Sequence, residues 1–185
     1  MTDKVSFTSM EHGTQTDYDL LMADGEGKTG EFADRVLDWL HQLDVDSPYH
    51  VTRLEHCLQS ATRAERDGAD DETIVCALLH DIGDLLGPAN HSEVAAALLA
   101  PYVSEKNHWI VKHHGLFQGY YGCHFIGQNR NAREKYKDHE HYQACVDFCA
   151  KWDQPSFDPD YDTLPLEYFE PKVRALFAKE PRPFF

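Results

Sequence analysis

The residues best suited to chemistry are His80 and Asp81, which close the apolar run Ile74-Val75-Cys76-Ala77-Leu78-Leu79. His56 precedes them; His91, the pair His113-His114 and Asp153 follow. An imidazole at the end of a buried helix can cap a metal ion, and a carboxylate beside it can bridge two ions with its separate oxygens. One-metal and two-metal sites do different chemistry, so the number of ligands that converge decides the class of reaction.

Each candidate has a plainer reading. His80-Asp81 alone could be a buried polar pair, but its place at the end of an apolar helix favours a metal. Asp153 continues the stripe of Cys145, Val146, Cys149 and Trp152, so a carboxylate points where apolar groups point. Burying it unpaired costs several kcal/mol, roughly, so it needs a cation, whether a metal or a nearby Arg or Lys. His91 at a helix start and His114 at a helix end could each be a surface imidazole or a ligand. His114 follows Asn107, Ile110 and Val111 at buried spacing, which makes it the preferred ligand, with His113 behind it as a supporting partner. His56 falls with Thr52, Gln59 and Arg63, opposite Leu54 and Leu58. That is a solvated face unless it borders the metal cleft.

The elements that must position these groups are helical. Apolar residues recur at helical spacing over 31–43, from about 50 to 67, over 71–81, from 91 to Pro101, from Ser104 to Gly115, over 142–153 and over 166–178. Asn90 with Glu93 forms a candidate capping box that places His91 first in its helix, and Ser104 caps the next. Gly68, Gly83 and Gly115 read as stops. The aromatic, glycine-bearing stretch 116–131 reads as a loop, and 155–165 as a proline-punctuated connector. No strand pattern or repeat is present, so the fold expected is an all-α bundle. Residues 1–30 form a polar extension, with Tyr18, Leu20 and Leu21 as docking points, and 31–185 form one domain with its C-terminal tail packed on it.

Composition narrows the partners. The chain has 185 residues and a formal charge of −15, an acidic field that repels phosphate backbones and anionic lipid. Nucleic acid and membranes are excluded as expected partners. No secretory leader or membrane-length run is evident, so a cytoplasmic protein is expected. The five cysteines form no C-x-x-C pair, and Cys57, Cys76, Cys145 and Cys149 read as buried apolar groups. Twelve histidines exceed ordinary usage. The oligomeric state is not written in the sequence.

The strings Arg53-Leu54-Glu55-His56, Ala77-Leu78-Leu79-His80-Asp81-Ile82-Gly83, Asn90-His91-Ser92-Glu93 and Lys151-Trp152-Asp153 resemble the HD-domain superfamily, whose minimal pattern is H…HD…D. His91 and His114 are similar to the extra ligands of a smaller branch, the mixed-valent di-iron oxygenases. Within it the likeness is to enzymes that cleave 1-hydroxyalkylphosphonates. The resemblance covers roughly 48–155. It implies one iron held by His56, His80, Asp81 and Asp153, and a second by His91 and His114, with Asp81 bridging. It also implies an Fe(II)/Fe(III) pair, O2 as co-substrate and a small organophosphonate substrate split to phosphate and a carboxylate. Tyr49 is the nearest equivalent of a tyrosine that fills the open iron position in an amine-substrate relative.

Three positions depart from that relative: Asp84, Gln118 and Ala150 stand where it has His, Lys and Arg. The departures disfavour a primary-amine substrate. Either Arg130, Arg133 or Lys112 holds the phosphonate, since arginine offers a fork suited to such oxygens, or the substrate is not a phosphonate. Asp84 with Phe117, Tyr120 and Tyr121 would suit a quaternary ammonium, giving glycine betaine as product, although those aromatics also fit ordinary loop packing. The other readings are a metal-dependent phosphohydrolase of a small phosphate ester or nucleotide, and a metal-holding binding module whose acidic surface docks a basic partner.

Overall fold

A computed structural model describes residues 3–182, and among these the regular structure is helical throughout. The α-helices are α1 (Gln15–Gly30), α2 (Phe32–Gln42), α3 (Arg53–Arg66), α4 (Asp71–Leu79), α5 (His91–Leu99), α6 (Glu105–Gly122), α7 (Tyr142–Phe148) and α8 (Leu166–Phe177). Short 3-10 turns join them.

Local chemistry sets the helix starts that carry the site. Thr52 and Glu55 form a reciprocal box at the head of α3: the Thr52 hydroxyl accepts from Glu55 N–H at 3.1 Å, and the Glu55 carboxylate accepts from Thr52 N–H at 2.6 Å. The helix therefore begins at Arg53, three residues later than the periodicity indicates. Asp70 caps α4 through Thr73 N–H at 2.8 Å. Gly68, at φ 75°, ends α3 as expected.

From Thr73 onward helix α4 is buried on every side, with Ile74, Val75, Leu78 and Leu79 at or below 1 % exposure. It lies between α3, α6 and α8, where Leu58, Ile110, Val111, Phe169 and Val173 complete the core. A helix apolar all round can only be stable in that position. Its last turn delivers His80 and Asp81 into the middle of the protein.

Four local expectations are corrected. Gly115 does not stop α6, which runs on to Gly122. One glycine inside a helix costs about 1 kcal/mol, less than the burial of Phe117 two residues on contributes. Much of the stretch read as a loop is thus helix. Asn90 makes no side-chain cap to α5, because it ends the 3-10 turn Pro88–Asn90. Helix α7 gives way after Phe148 to a π-turn, Cys149–Asp153, whose extra residue per turn re-aims Asp153. Finally, residues 15–30 of the polar extension are helical. Asp17 ties that segment to itself, accepting from Ser6 N–H at 2.6 Å and from Thr14 N–H at 2.9 Å. Tyr18 docks on Phe7 and donates to the Met10 carbonyl at 2.9 Å, while Leu21 stays exposed.

Candidate metal centre

The structure brings His56, His80, Asp81, His91, His114 and Asp153 to one point. His56 comes from α3, the His80-Asp81 pair from the end of α4, and His91 from the first residue of α5. His114 comes from the middle of α6, and Asp153 from the π-turn.

The two oxygens of Asp81 face different imidazole pairs. Its Oδ2 lies 3.5 Å from His56 Nε2 and 3.6 Å from His80 Nε2. Its Oδ1 lies 3.3 Å from His91 Nε2 and 3.1 Å from His114 Nε2. Asp153 Oδ1 adds to the first group, at 3.4 Å from His56 Nε2 and 3.7 Å from His80 Nε2. Two three-residue sets that could hold an ion, His56–His80–Asp81 and Asp81–His91–His114, therefore share Asp81.

The outer ring nitrogens orient these groups. Nδ1 of His56 meets the Ser156 carbonyl at 2.9 Å, Nδ1 of His80 the Ala77 carbonyl at 2.8 Å, and Nδ1 of His114 the Val111 carbonyl at 2.7 Å. His91 Nδ1 faces the Pro88 carbonyl at 3.3 Å and Asp84 Oδ1 at 3.5 Å. A carbonyl can only accept, so each Nδ1 carries a proton, and a ring without a second proton turns its Nε2 lone pair inward. Those inner nitrogens lie 3.1 Å apart in the His56–His80 pair and 3.3 Å apart in the His91–His114 pair. Lone pairs held that close repel unless a proton or a metal ion lies between them. Asp153 Oδ2 is buried with no hydrogen-bond partner, a second group that a cation would satisfy. The residues present fit metal ions, and a mixed nitrogen and carboxylate-oxygen set suits iron, manganese, cobalt or zinc.

Electrostatics agree. Burial would raise the Asp81 and Asp153 carboxyls, but the surrounding imidazoles outweigh it and hold both below the ordinary range. Burial pushes His80 down to about 4. At His56 and His114 burial is overcome by hydrogen bonds to Asp153 and Asp81, and both rings are pushed up.

His56 settles the ambiguity of its helix face. It is 1 % exposed because the 155–165 connector lies along that face. Gln59 donates to the Asp158 carbonyl at 2.7 Å, Arg63 donates to the Pro155 carbonyl at 2.9 Å, and Leu164 N–H donates to Thr62 at 3.1 Å. Phe157 stacks on the His56 ring at 4.4 Å.

A cleft of about 390 Å³ opens over the centre, with Tyr49, Arg53, Gln118, Tyr121, Gln154 and Phe157 among its walls. Tyr49 packs on Phe157 at 4.8 Å. Gln118 donates to Asp153 Oδ1 at 2.9 Å. Arg53 donates to Asp81 Oδ2 at 2.7 Å and reaches Asp84 Oδ2 at 2.9 Å. Sequence reasoning missed Arg53 and Phe157 as site residues. Arg53 carried a signal, since it precedes His56 by one helical turn and shares its face. Phe157 carried none, because an irregular connector has no period.

Other expected substrate contacts lie elsewhere. Asp84 turns to Arg53 and His91 rather than into the cleft. Arg130 and Arg133 stack on the Tyr120 ring, at 4.2 and 3.8 Å, outside the cleft wall. Phe117 is core, against Trp109 and Tyr142. Lys112 and His113 line a neighbouring cavity of about 570 Å³, which shares His91 and Gly115 with the cleft, and His113 stacks on Trp109 at 4.2 Å rather than backing His114. Cys57, Cys76, Cys145 and Cys149 are free and buried, as expected.

Fold and centre together define an all-helical protein built around buried imidazole and carboxylate ligands able to hold metal. The chain belongs to the HD-domain family, whose model matches residues 53–150 and takes in His56, His80, Asp81, His91 and His114. Asp153 lies just past that match. Comparison with curated proteins gives no match. No helix among the described residues is long and apolar enough to cross a membrane.

Proposed function

We propose that this HD-domain protein is a di-iron oxygenase that cleaves the carbon–phosphorus bond of a 1-hydroxy-2-aminoalkylphosphonate, the trimethylammonio form before others. The single observation that carries the reading is Asp81, with one oxygen toward His56 and His80 and the other toward His91 and His114. A carboxylate placed so is the natural bridge of a metal pair.

His56, His80, Asp81 and Asp153 would hold one ion, and His91, His114 and Asp81 the other. Bound there, a mixed-valent iron pair supplies the electron transfer and oxygen activation that side chains cannot. The chain's own residues do the rest. The carbonyls of Ala77, Val111 and Ser156 lock the rings that face the ions. Phe157 and Tyr49 shelter the His56 side from water. Arg53 offers the cleft wall a guanidinium for an anionic head group, and the Tyr49 and Phe157 faces suit a quaternary ammonium. The overall reaction consumes one O2, placing one oxygen atom in the carboxylate and one in phosphate, with release of a proton.

Hydrolysis of a phosphate ester is the second reading. It is favoured by the completeness of the His56, His80, Asp81 and Asp153 set without His91, whose side chain is 27 % exposed. The test is turnover of [1-hydroxy-2-(trimethylammonio)ethyl]phosphonate by iron-loaded protein, with and without O2. Phosphate and glycine betaine formed only with O2 support the oxygenase. Phosphate released from simple esters under anaerobic conditions, with no O2-dependent product, replaces it with the hydrolase.

A further inference from the structure

His91 is the ligand most in need of outside support. It comes from the first residue of a helix that lacks a side-chain cap, and it is the most exposed of the four imidazoles at the centre. Two glycines lie against it. A Cβ on Gly83 would lie 2.1 Å from the His91 carbonyl oxygen, 2.8 Å from its carbon and 2.9 Å from its Cα. All three are backbone atoms, which cannot rotate aside. A Cβ on Gly115 would lie 2.7 Å from Ser92 Oγ, which can turn aside, and in ordinary contact with Nε2 and Cε1 of the His91 ring at 3.5 and 3.7 Å, so that a methyl group fits there and only a larger side chain displaces the ring.

Conformation does not require glycine at either place, since the positive-φ glycines among the described residues are Gly68 and Gly127. Space requires it. Gly83 follows Asp81 by two residues, and Gly115 follows His114 directly. Each bare Cα thus sits beside another ligand of the second ion, on the segment that His91 must approach. The α5 backbone rests on Gly83, and the His91 ring lies over Gly115.

We propose that Gly83 and Gly115 are positioning residues that set the number of ions held: their missing side chains let His91 close on Asp81 and His114. A methyl group at Gly83, or a branched side chain at Gly115, moves His91 out and leaves a one-ion protein. The inference rests on the two-ion reading above, and goes beyond it by naming what makes the second position.

The test uses manganese(II) as the probe. Wild type, Gly83→Ala, Gly115→Val and the reference His91→Ala are titrated and read by metal-to-protein ratio and by EPR. Wild type should bind two ions with an exchange-coupled signal. Both glycine variants should resemble His91→Ala, keeping the first ion while affinity for the second falls by about tenfold or more, with the signal of an isolated ion. Valine is a better helix former than the glycine it replaces at 115, so that variant keeps α6 and decides the matter if Gly83→Ala is insoluble. Two coupled ions in wild type and in the soluble glycine variants overturn this proposal alone. One ion in wild type overturns the two-ion reading and this proposal with it.

Discussion

The guanidinium of Arg53 donates to Oδ2 of Asp81 at 2.7 Å, the same oxygen that faces His56 and His80. The carboxylate common to both ligand sets is therefore held by a cation of the chain itself, and Arg53 is held in turn by Asp84 at 2.9 Å. Half-buried between two acids, this fork is the one Lys or Arg side chain among the described residues of the cleft wall.

Replacing Arg53 tests that arrangement. Arg53→Gln should weaken binding of methylphosphonate to the metal-loaded protein by about ten- to a hundredfold, the size expected for a hydrogen bond to a charged group. Arg53→Lys should recover little, because a point charge cannot span Asp81 and Asp84 together. Calorimetry measures both, and unchanged affinity in Arg53→Gln would remove Arg53 from substrate binding.

Metal loading should release protons. His56 and His114 are pushed above the ordinary 6.5 by Asp153 and Asp81, after burial is overcome. Without metal, the stability they contribute is full below pH 6.5 and is lost as pH rises through their raised values. Ions compete with those protons, so binding should weaken as pH falls. His80, held down to about 4, has none to give near neutrality. Titration of metal at pH 7 in buffers of different ionisation heat should show net proton release, and His114→Ala should reduce it.

The connector over His56 depends on Gln59, which donates to the Asp158 carbonyl at 2.7 Å and accepts from Asp158 N–H at 3.3 Å. Gln59→Ala should cost about 2 kcal/mol and leave two backbone groups unpaired. Urea unfolding measures the loss. Limited proteolysis should then cut first within 154–165; cleavage elsewhere, with stability intact, would show that the connector holds by other means.

The N-terminal segment has its own pH dependence. Hydrogen bonds from Ser6 and Thr14 hold the Asp17 carboxyl far below the ordinary 3.8. A depressed carboxyl contributes stability that is present above pH 3.8 and lost as pH falls through its lower folded value. Amide exchange over residues 5–18 should therefore be slow at neutral pH and fast in Asp17→Ala, while α4 amides stay unchanged in both.

The legible part of this fold was whatever chemistry is local. An apolar helix ending in His80-Asp81 announces a buried site because nothing but the core can surround α4. The stripe leading to Asp153 announces the second carboxylate for the same reason. His56 could not be placed from its own helix, because its cover arrives from Ser156, 100 residues away. Gly83 and Gly115 looked like helix stops; their reason for being glycine is a neighbour from α5 that no local rule contains. Asp84, Arg130 and Arg133 have the right chemistry for a substrate, but long-range pairing with Arg53 and Tyr120 claims them first. The helix Gln15–Gly30 has no apolar stripe to announce it.

The shared aspartate also joins two ligand sets of unequal reach along the chain. Residues 91 and 114 sit on α5 and α6, the helices that follow it. The other set draws on α3 ahead of it and on the π-turn that carries Asp153. Closing that longer loop costs more chain entropy, so a cation held there would staple the C-terminal part of the chain onto α3.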